Sequence, residues 1–250
     1  METVLEIKNL NKSFGDIGIL NDVSFAVKKG EFVSIMGRSG SGKSTLLYNI
    51  SGMDRPTSGN VTFLNHDIAS LDDQQLSNVR LNHMGFIFQH SYLLKKLSIK
   101  DNICLPGYKS SLKSKHDVEE MADHLMEITG ISHIGKNDIK KVSGGQLQRA
   151  AICRALINTP EILFADEPTG ALNSSSTEEI IQIIDEINKK GTTVIMVTHD
   201  SKVASSAERI IFIQDGKLND ELLLGKCDRS DASYVNREKV LSKWLESKAF

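Results

Sequence analysis

Short apolar runs recur along the chain, each followed by turn residues. Residues 32–36, 85–88, 162–164 and 193–197 are runs of this kind, and their length predicts buried strands. Residues 1–7 instead alternate between polar and apolar positions, which predicts a strand with one exposed face.

Two longer stretches have the spacing of helices. Residues 117–126 carry apolar side chains at helical intervals. Residues 180–184 follow Ser176 and Glu179, which match a capping box, and Gly191 marks the end of that helix. Strands that alternate with helices predict an α/β fold with a parallel sheet, in which loops at the strand ends carry the chemistry.

A glycine-rich loop lies between the strand at residues 32–36 and a helix that opens at residues 45–47. Two glycines spaced around four residues and followed by Lys and Ser match a P-loop. Glycines let backbone N–H groups turn towards phosphate oxygens, and the helix N-terminus adds a positive dipole end. We expect Lys43 to reach the β- and γ-phosphates of a nucleotide and the Ser44 hydroxyl to bind Mg²⁺. The predicted nucleotide-binding residues are Gly37, Arg38, Ser39, Gly40, Ser41, Gly42, Lys43, Ser44 and Thr45.

Two carboxylates follow the apolar run at residues 162–164, with Pro168 directly after them. Asp166 is predicted to hold the magnesium ion and its water shell, as the strand-end aspartate of P-loop NTPases does. Glu167 lies one residue beyond the strand, where it can face a water aimed at the γ-phosphate and act as general base.

A third motif, Ser143, Gly144, Gly145 and Gln146, lies between the P-loop and these carboxylates. Residues 146–152 are good helix formers, so the motif presents unpaired amides and a hydroxyl at a helix N-terminus. A plain helix cap accounts for Ser143, but it does not account for two glycines, which cost helix stability.

With these three motifs in this order, the chain resembles the ATP-binding cassette (ABC) family from Leu5 to about Leu218. The resemblance implies a P-loop NTPase (RecA-like) core with a parallel sheet, an antiparallel β subdomain and an α-helical signature subdomain. It further implies a nucleotide-binding domain over residues 1–225, with the helical subdomain at about 90–150. In this family the signature of one subunit caps the γ-phosphate in the P-loop of the other, so a homodimer holds two ATP molecules.

Four more residues take their expected roles from the resemblance. Gln89 matches the glutamine that touches Mg²⁺ and the attacking water, and His199 matches the histidine that contacts the γ-phosphate. Phe14 matches the aromatic that stacks on adenine, which needs a ring and no hydroxyl. Asn173 replaces the aspartate usual at its position; it keeps hydrogen-bonding groups for a dimer interface but brings no charge.

Composition agrees with this assignment. The 250 residues are 40% hydrophobic and 25% charged, with a formal net charge of −2, which gives no support for nucleic-acid binding. The longest apolar stretches fall well short of the roughly 20 residues of a membrane helix, and residues 1–7 lack the features of a signal peptide. The three cysteines have neither zinc-site nor disulfide spacing. We expect a protein at the cytoplasmic face of the membrane, attached through an integral permease of the FtsX-like type.

The stretch from Leu71 to Pro106 is similar to the subgroup that includes the lipoprotein-release and macrolide-export ATPases. Within it, residues 164–173, 196–200 and 209–216 look most like the bacitracin- and lantibiotic-resistance ATPases. The resemblance therefore implies ATP hydrolysis that powers resistance to antimicrobial peptides. Two alternatives stay open: a cell-division ATPase that signals through a permease-like partner, and a soluble ABC protein acting on nucleic acid or ribosomes. The second is disfavoured because the chain has neither a second cassette nor a long coiled-coil insertion.

The last segment, residues 226–250, is predicted to form a helical tail. A helix from Ser233 to Phe250 would place one apolar side against the charged remainder. Such a helix either packs on its own domain or serves a partner or dimer contact. The apolar side would comprise Val240, Leu241, Trp244 and Leu245, and the charged residues are Arg237, Glu238, Lys239 and Lys243.

Overall fold

The structure is a computed structural model that describes residues 2–110, 112–227 and 231–248. The chain forms two compact units, one of residues 1–76 with 188–250 and one of residues 77–187. We call them the P-loop unit and the signature unit, after the motifs at residues 37–44 and 143–146.

An antiparallel sheet occupies part of the P-loop unit, with strand order β2-β1-β4-β5. Apolar residues on the inner face of β1 and β2 are fully buried, so alternation along these strands separates core from solvent. The four strands are β1 (Thr3–Phe14), β2 (Ile17–Lys28), β4 (Ser58–Phe63) and β5 (His66–Asp67).

The same unit contains a second group of strands, in which β3 (Phe32–Met36) pairs in parallel with β8 (Thr193–Val197) and β9 (Arg209–Gln214). Every residue of β3 and β8 is buried, as expected of parallel strands covered on both faces. β10 (Lys217–Leu223) returns antiparallel beside β9. The helices of this unit are α1 (Lys43–Ile50), α7 (Ser201–Ala204) and α8 (Asp231–Glu246).

The signature unit combines a parallel strand pair with helices. β6 (Met84–Phe88) pairs with β7 (Ile162–Asp166), and the rings of Phe86 and Phe164 stack across the pair at 5.6 Å. Helices α2 and α6 lie where the chain passes from one unit to the other. The helices are α2 (Asp73–His83), α3 (Ile99–Ser110), α4 (Lys115–Ile128), α5 (Gly144–Leu156) and α6 (Ser174–Lys189).

The predicted α/β fold is confirmed, and the P-loop unit contains the antiparallel sheet. Helices α3 and α4 precede the signature motif, and α5 begins within it. Each predicted buried strand is present, and α4 contains the predicted helix at residues 117–126. No helix of the described residues combines the length and apolar character needed to cross a membrane.

The predicted capping box at Ser176 and Glu179 is wrong. Helix α6 begins at Ser174, two residues before its predicted cap, and the Asn173 side-chain oxygen accepts from the Ser176 N–H at 3.0 Å. Asn173 is therefore the cap, because its amide oxygen reaches the third N–H of the helix. The predicted end is confirmed: Gly191 has φ +104° and its N–H donates to the Asn188 carbonyl.

The tail helix departs from its predicted pattern at two positions. Leu241 and Leu245 are buried and Trp244 packs edge-on against Phe212, with ring centroids 5.9 Å apart. Val240, however, is 44% exposed, whereas Arg237, expected on the charged side, is only 7% exposed. The described part of the helix thus packs on the rest of the P-loop unit through two leucines, the Trp244 ring and one buried guanidinium. Phe250 lies outside the described residues.

Candidate functional site

The P-loop leaves β3 through Gly37 and reaches α1 through Gly42, and a larger residue at either position would displace its neighbours. A β-carbon at Gly37 would lie 2.1 Å from the Ile213 carbonyl oxygen and 2.7 Å from the Ser41 hydroxyl. Gly42, the residue before α1, has φ +100°, which L side chains rarely adopt. The loop therefore runs tightly against β9 and directs the N-terminus of α1, where backbone N–H groups suit an anion, to the end of the loop.

Two side chains inside the loop fit a bound polyphosphate. Lys43 is buried and its ammonium donates to the carbonyls of Gly37 at 2.7 Å and Arg38 at 2.8 Å. The Ser41 hydroxyl is also buried and has no hydrogen-bond partner among the described residues. A buried cation and an unsatisfied hydroxyl beside helix N–H groups form an anion-binding arrangement. Arg38, Ser39 and Gly40 are exposed around it, and Ser44 and Thr45 are half-buried in the first turn of α1.

His199 lies at the same sheet edge as the P-loop. β3 and β8 are parallel with Ile35 opposite Val197, so Gly37 and His199 each lie two residues beyond a paired position. The Thr198 N–H donates to the Ile35 carbonyl at 3.3 Å, which extends the pairing to the residue before the histidine. His199 itself is exposed, as expected of a side chain that meets a ligand at the carboxyl ends of parallel strands.

Phe14 ends β1 at a hairpin whose second strand, β2, passes beside the P-loop. A β-carbon on Gly42 would lie 2.9 Å from the Leu20 side chain of β2. The Phe14 ring is 55% exposed, and the Lys12 ammonium lies 4.8 Å from its centroid. An exposed ring at this hairpin is available for stacking on a base.

In the signature unit, parallel pairing brings Gln89 and Glu167 together. Phe88 is opposite Asp166, so Gln89 and Glu167 are each the first residue past a paired position. A β-carbon on Gly170 would lie 2.9 Å from the Gln89 amide nitrogen and 3.3 Å from a Glu167 carboxylate oxygen. Both polar side chains therefore flank the same small space beside Gly170.

Asp166 and Glu167 differ in backbone conformation, because Asp166 still belongs to the strand and Glu167 has a positive φ. Asp166 is the buried last residue of β7. Glu167 is half-buried with φ +46°, and the Gly170 N–H donates to its carbonyl at 3.1 Å. A positive φ at a non-glycine residue is strained, and such strain concentrates at functional sites.

The signature motif forms the N-terminus of α5. The Ser143 hydroxyl accepts from the Gln146 N–H, and the Gln146 side chain accepts from the Ser143 N–H at 2.9 Å. A β-carbon on Gly145 would lie 3.1 Å from the Ser176 hydroxyl. A β-carbon on Gly144 would meet nothing closer than 3.7 Å, an ordinary contact. The capping box thus explains Ser143 and Gln146, whereas no contact within the unit requires glycine at position 144.

The sequence reasoning missed two residues of α5 that hold the loops after β6 and β7. The buried Gln148 amide donates to the Phe88 carbonyl at 2.9 Å and to the Pro168 carbonyl at 2.8 Å. Arg154 donates to the carbonyls of Ser91 at 2.7 Å and Tyr92 at 2.9 Å. A polar residue on the apolar stripe of a helix was the available signal for Gln148, because buried amides need partners.

The structure therefore collects the predicted residues in two groups, each within its own unit. The P-loop, Phe14 and His199 belong to one unit, and Gln89, Asp166, Glu167, Asn173 and the signature belong to the other. The predicted magnesium ligands Ser44, Gln89 and Asp166 offer hydroxyl, amide and carboxylate oxygens, which suit Mg²⁺. Within the described ranges there is no cluster of three or more His, Cys, Asp or Glu side chains suited to a metal ion.

Burial raises the pKa of the Cys153 thiol in α5 to about 12, so this cysteine is inert.

Comparison with known proteins gives a consistent result. The profile of the ABC transporter family matches residues 20–170. The chain is 42% identical over 219 residues to the macrolide export ATP-binding/permease protein MacB of Aggregatibacter actinomycetemcomitans, covering 86% of this chain and 34% of that protein. It is 39% identical over 215 residues to the lipoprotein-releasing system ATP-binding protein LolD of Leptospira interrogans, covering 86% of this chain and 90% of that protein.

A solved structure gives the same result for the fold. The chain matches a dimeric, post-hydrolysis structure of the ATP-binding cassette MJ0796 bound to ADP and Pi, with a TM-score of 0.82 and 38% identity. That match covers 89% of this chain and 100% of the other. The chain spans about a third of the length of the MacB protein.

Proposed function

Because this chain belongs to the ABC transporter family and carries its ATPase domain, we propose that two copies enclose two ATP molecules and that hydrolysis drives a membrane permease. The observation that carries the proposal is the signature helix: Ser143 and Gly144 are exposed at the N-terminus of α5, where no contact within the unit requires a glycine at position 144. A glycine without a local reason suits close approach of another surface to the backbone.

Nucleotide binding is assigned to the P-loop and Phe14. Lys43 exchanges its carbonyl partners in the loop for β- and γ-phosphate oxygens, and the unsatisfied Ser41 hydroxyl donates to phosphate. Phe14 stacks on the adenine. Ser44, Asp166 and Gln89 would hold Mg²⁺, which would neutralise charge on the phosphate oxygens.

Hydrolysis is assigned to the residues beyond the parallel strands. A water attacks the γ-phosphorus and loses a proton to the Glu167 carboxylate, while the bond from the γ-phosphorus to the bridging oxygen breaks to leave ADP and phosphate. Gln89, which flanks the same space as Glu167, orients this water. His199 donates to the γ-phosphate and so distinguishes ATP from ADP.

The dimer is head to tail, so that Ser143 and Gly145 of one copy complete the site at the P-loop of the other. The dimeric MJ0796 cassette bound to ADP and Pi supports this arrangement. Because each site needs two chains, we expect ATPase activity of purified protein to rise more steeply than linearly with protein concentration. Ser143→Arg should abolish activity with no loss of folded protein. A specific activity that is independent of concentration in monomeric protein would exclude the shared site.

The chain acts at the cytoplasmic face of the membrane through an FtsX-like permease. The relatives named ATP-binding/permease proteins support the pairing with a permease; the FtsX-like type rests on the subgroup resemblance. Co-purification with the membrane partner tests it directly, and recovery of the ATPase alone under gentle extraction would argue against it.

The permease is proposed to confer resistance to antimicrobial peptides such as bacitracin or a lantibiotic, on the resemblance of residues 164–173, 196–200 and 209–216. Loss of the gene, or Lys43→Ala, should sensitise the host to the peptide while growth and division stay normal. The relatives' names supply competing outcomes: macrolide sensitivity would favour macrolide export, and retained lipoproteins would favour lipoprotein release. Filamentous cells with unchanged tolerance would favour the cell-division alternative.

A further inference from the structure

We propose that helix α8 clamps the segment that carries His199, with Arg237 as a positioning residue for that histidine. The His199 segment is defined as residues 198–207. The inference rests on the proposed role of His199 at the γ-phosphate, and it concerns only residues of the P-loop unit.

Among the described residues, the hydrogen bonds of the buried Arg237 guanidinium all go to backbone carbonyls. Its Nε donates to the Ser205 carbonyl at 2.8 Å and an Nη donates to the Ala207 carbonyl at 2.6 Å. The other Nη donates to the carbonyls of Leu224 at 2.9 Å and Gly225 at 3.0 Å. The planar guanidinium therefore joins the end of the His199 segment to the chain that follows β10.

The carbonyls of Ser205 and Ala207 follow the C-terminus of α7, where a helix leaves its last carbonyls without a partner in the helix. Together with the Lys202 carbonyl inside α7, three carbonyls of the His199 segment accept from side chains of α8. The Tyr234 hydroxyl donates to the Lys202 carbonyl at 2.7 Å, one turn before Arg237 reaches Ser205 and Ala207. A cation at a helix C-terminus is also favourable to the helix dipole.

The other end of the His199 segment is held by the sheet. The Thr198 N–H bonds to the Ile35 carbonyl, and the Asp200 N–H donates to the Thr198 hydroxyl at 3.1 Å. Asp200 then caps α7 by accepting from the N–H groups of Lys202 and Val203. His199 is thus an exposed residue in a short segment that is held by β3 before it and by α8 after it.

The C-terminal part of α8 and the residues that directly follow it provide an independent anchor and a matched control. Trp244 packs on Phe212, and Lys248 pairs with Asp220 of β10. The partners of Trp244 and Lys248 in these two interactions, Phe212 and Asp220, lie outside the His199 segment. Removing the Lys248 ion pair therefore weakens docking of the tail without touching the clamp, and Lys239, exposed on the same helix, serves as a surface control.

The test compares Arg237→Ala, Arg237→Lys, Tyr234→Phe, Lys248→Gln and Lys239→Ala in the full chain by amide hydrogen exchange and steady-state ATPase assays. Arg237→Ala should accelerate exchange at residues 199–207 by about 10- to 100-fold, the loss expected for hydrogen bonds to a charged group. It should lower kcat about three- to tenfold with the affinity for ADP unchanged, because ADP lacks the γ-phosphate. Arg237→Lys should recover part of both effects, and the two lysine controls should have neither.

A double variant separates positioning from general destabilisation. Arg237→Ala should add nothing to the kcat loss of His199→Ala, since the histidine that it positions is already gone. An equal loss in both backgrounds, or unchanged exchange at residues 199–207, would overturn the inference. If His199→Ala leaves kcat intact, the assigned role of His199 fails, and exchange still decides whether Arg237 holds the segment. If Arg237→Ala does not fold, Tyr234→Phe decides through faster exchange at residues 203–207 alone.

Discussion

The loop that carries Glu167 and the segment that carries His199 both leave the carboxyl end of a parallel strand, yet they are held in different ways. Gln148 braces the Glu167 loop near its start by bonding across two neighbouring strand ends, at the carbonyls of Phe88 and Pro168. Arg237 instead holds the His199 segment by its far end. Gln148 therefore holds the two loops that carry Gln89 and Glu167 at a set distance from each other. Arg237 holds only the far end of the one segment that carries His199.

The two loops are assigned different chemistry, and the way in which each is held suits its own task. Proton transfer from a water needs Gln89 and Glu167 at one fixed separation, because the water must lie within hydrogen-bond reach of the base. A contact between His199 and the γ-phosphate needs less exact positioning of the backbone. It is a single hydrogen bond, and small movements of the exposed His199 side chain can restore it. We therefore expect changes in the Glu167 loop to cost more rate than comparable changes in the His199 segment.

The largest expected effect tests this order directly. Glu167→Gln should lower hydrolysis by about 10²- to 10⁴-fold because the amide cannot accept a proton from water. His199→Ala should cost about 10- to 100-fold, the value of one charge-assisted hydrogen bond. Single-turnover hydrolysis measures both rates.

Equilibrium ATP binding provides the control for this pair of variants. It should stay intact in Glu167→Gln, which should also accumulate a nucleotide-bound dimer. A larger loss for His199→Ala than for Glu167→Gln would reverse the assignment of the two loops.

The next effect concerns the brace itself. Gln148→Leu keeps the side-chain volume but leaves the Phe88 and Pro168 carbonyls without their buried donor, which should lower the free energy of unfolding by about 2–4 kcal/mol. Denaturant unfolding at fixed nucleotide concentration measures this change. Gln182→Leu, at an exposed position of α6, is the matched control and should be nearly neutral. A silent Gln148→Leu would mean that the loops after β6 and β7 are held by other contacts.

The sequence predicts the parts of the site that are local. The P-loop is built from eight adjacent residues, and the contacts of its glycines and of Lys43 include others inside the same loop. The sequence pattern is therefore enough to predict it. Glu167 was predicted because it directly follows a recognisable buried strand. His199 lies two residues past β8, and its role was predicted only from the resemblance to the ABC family.

The braces were not predictable, because they depend on contacts between distant parts of the chain. Gln148 reaches a carbonyl 60 residues away and Arg237 one 32 residues away. A helical pattern counts arginine as exposed, yet a guanidinium can be buried where carbonyls accept all of its donors. The capping box failed for a related reason: Ser176 fits the pattern, but Asn173 offers an equally good cap three residues earlier, and the longer helix prevails.

The smallest expected effect lies at the far end of the Glu167 loop, where Asn173 caps α6. Asn173→Ala should destabilise the protein by about 0.5–2 kcal/mol through loss of the cap. Asn173→Asp should keep the cap and stabilise the helix by about 0.3–1 kcal/mol, because a negative charge suits a helix N-terminus. Thermal unfolding measures both changes. If capping is the whole role of Asn173, neither variant changes how ATPase activity depends on protein concentration. A shift in that dependence in Asn173→Asp without a matching change in stability would instead assign Asn173 to the dimer interface, as the family resemblance implies.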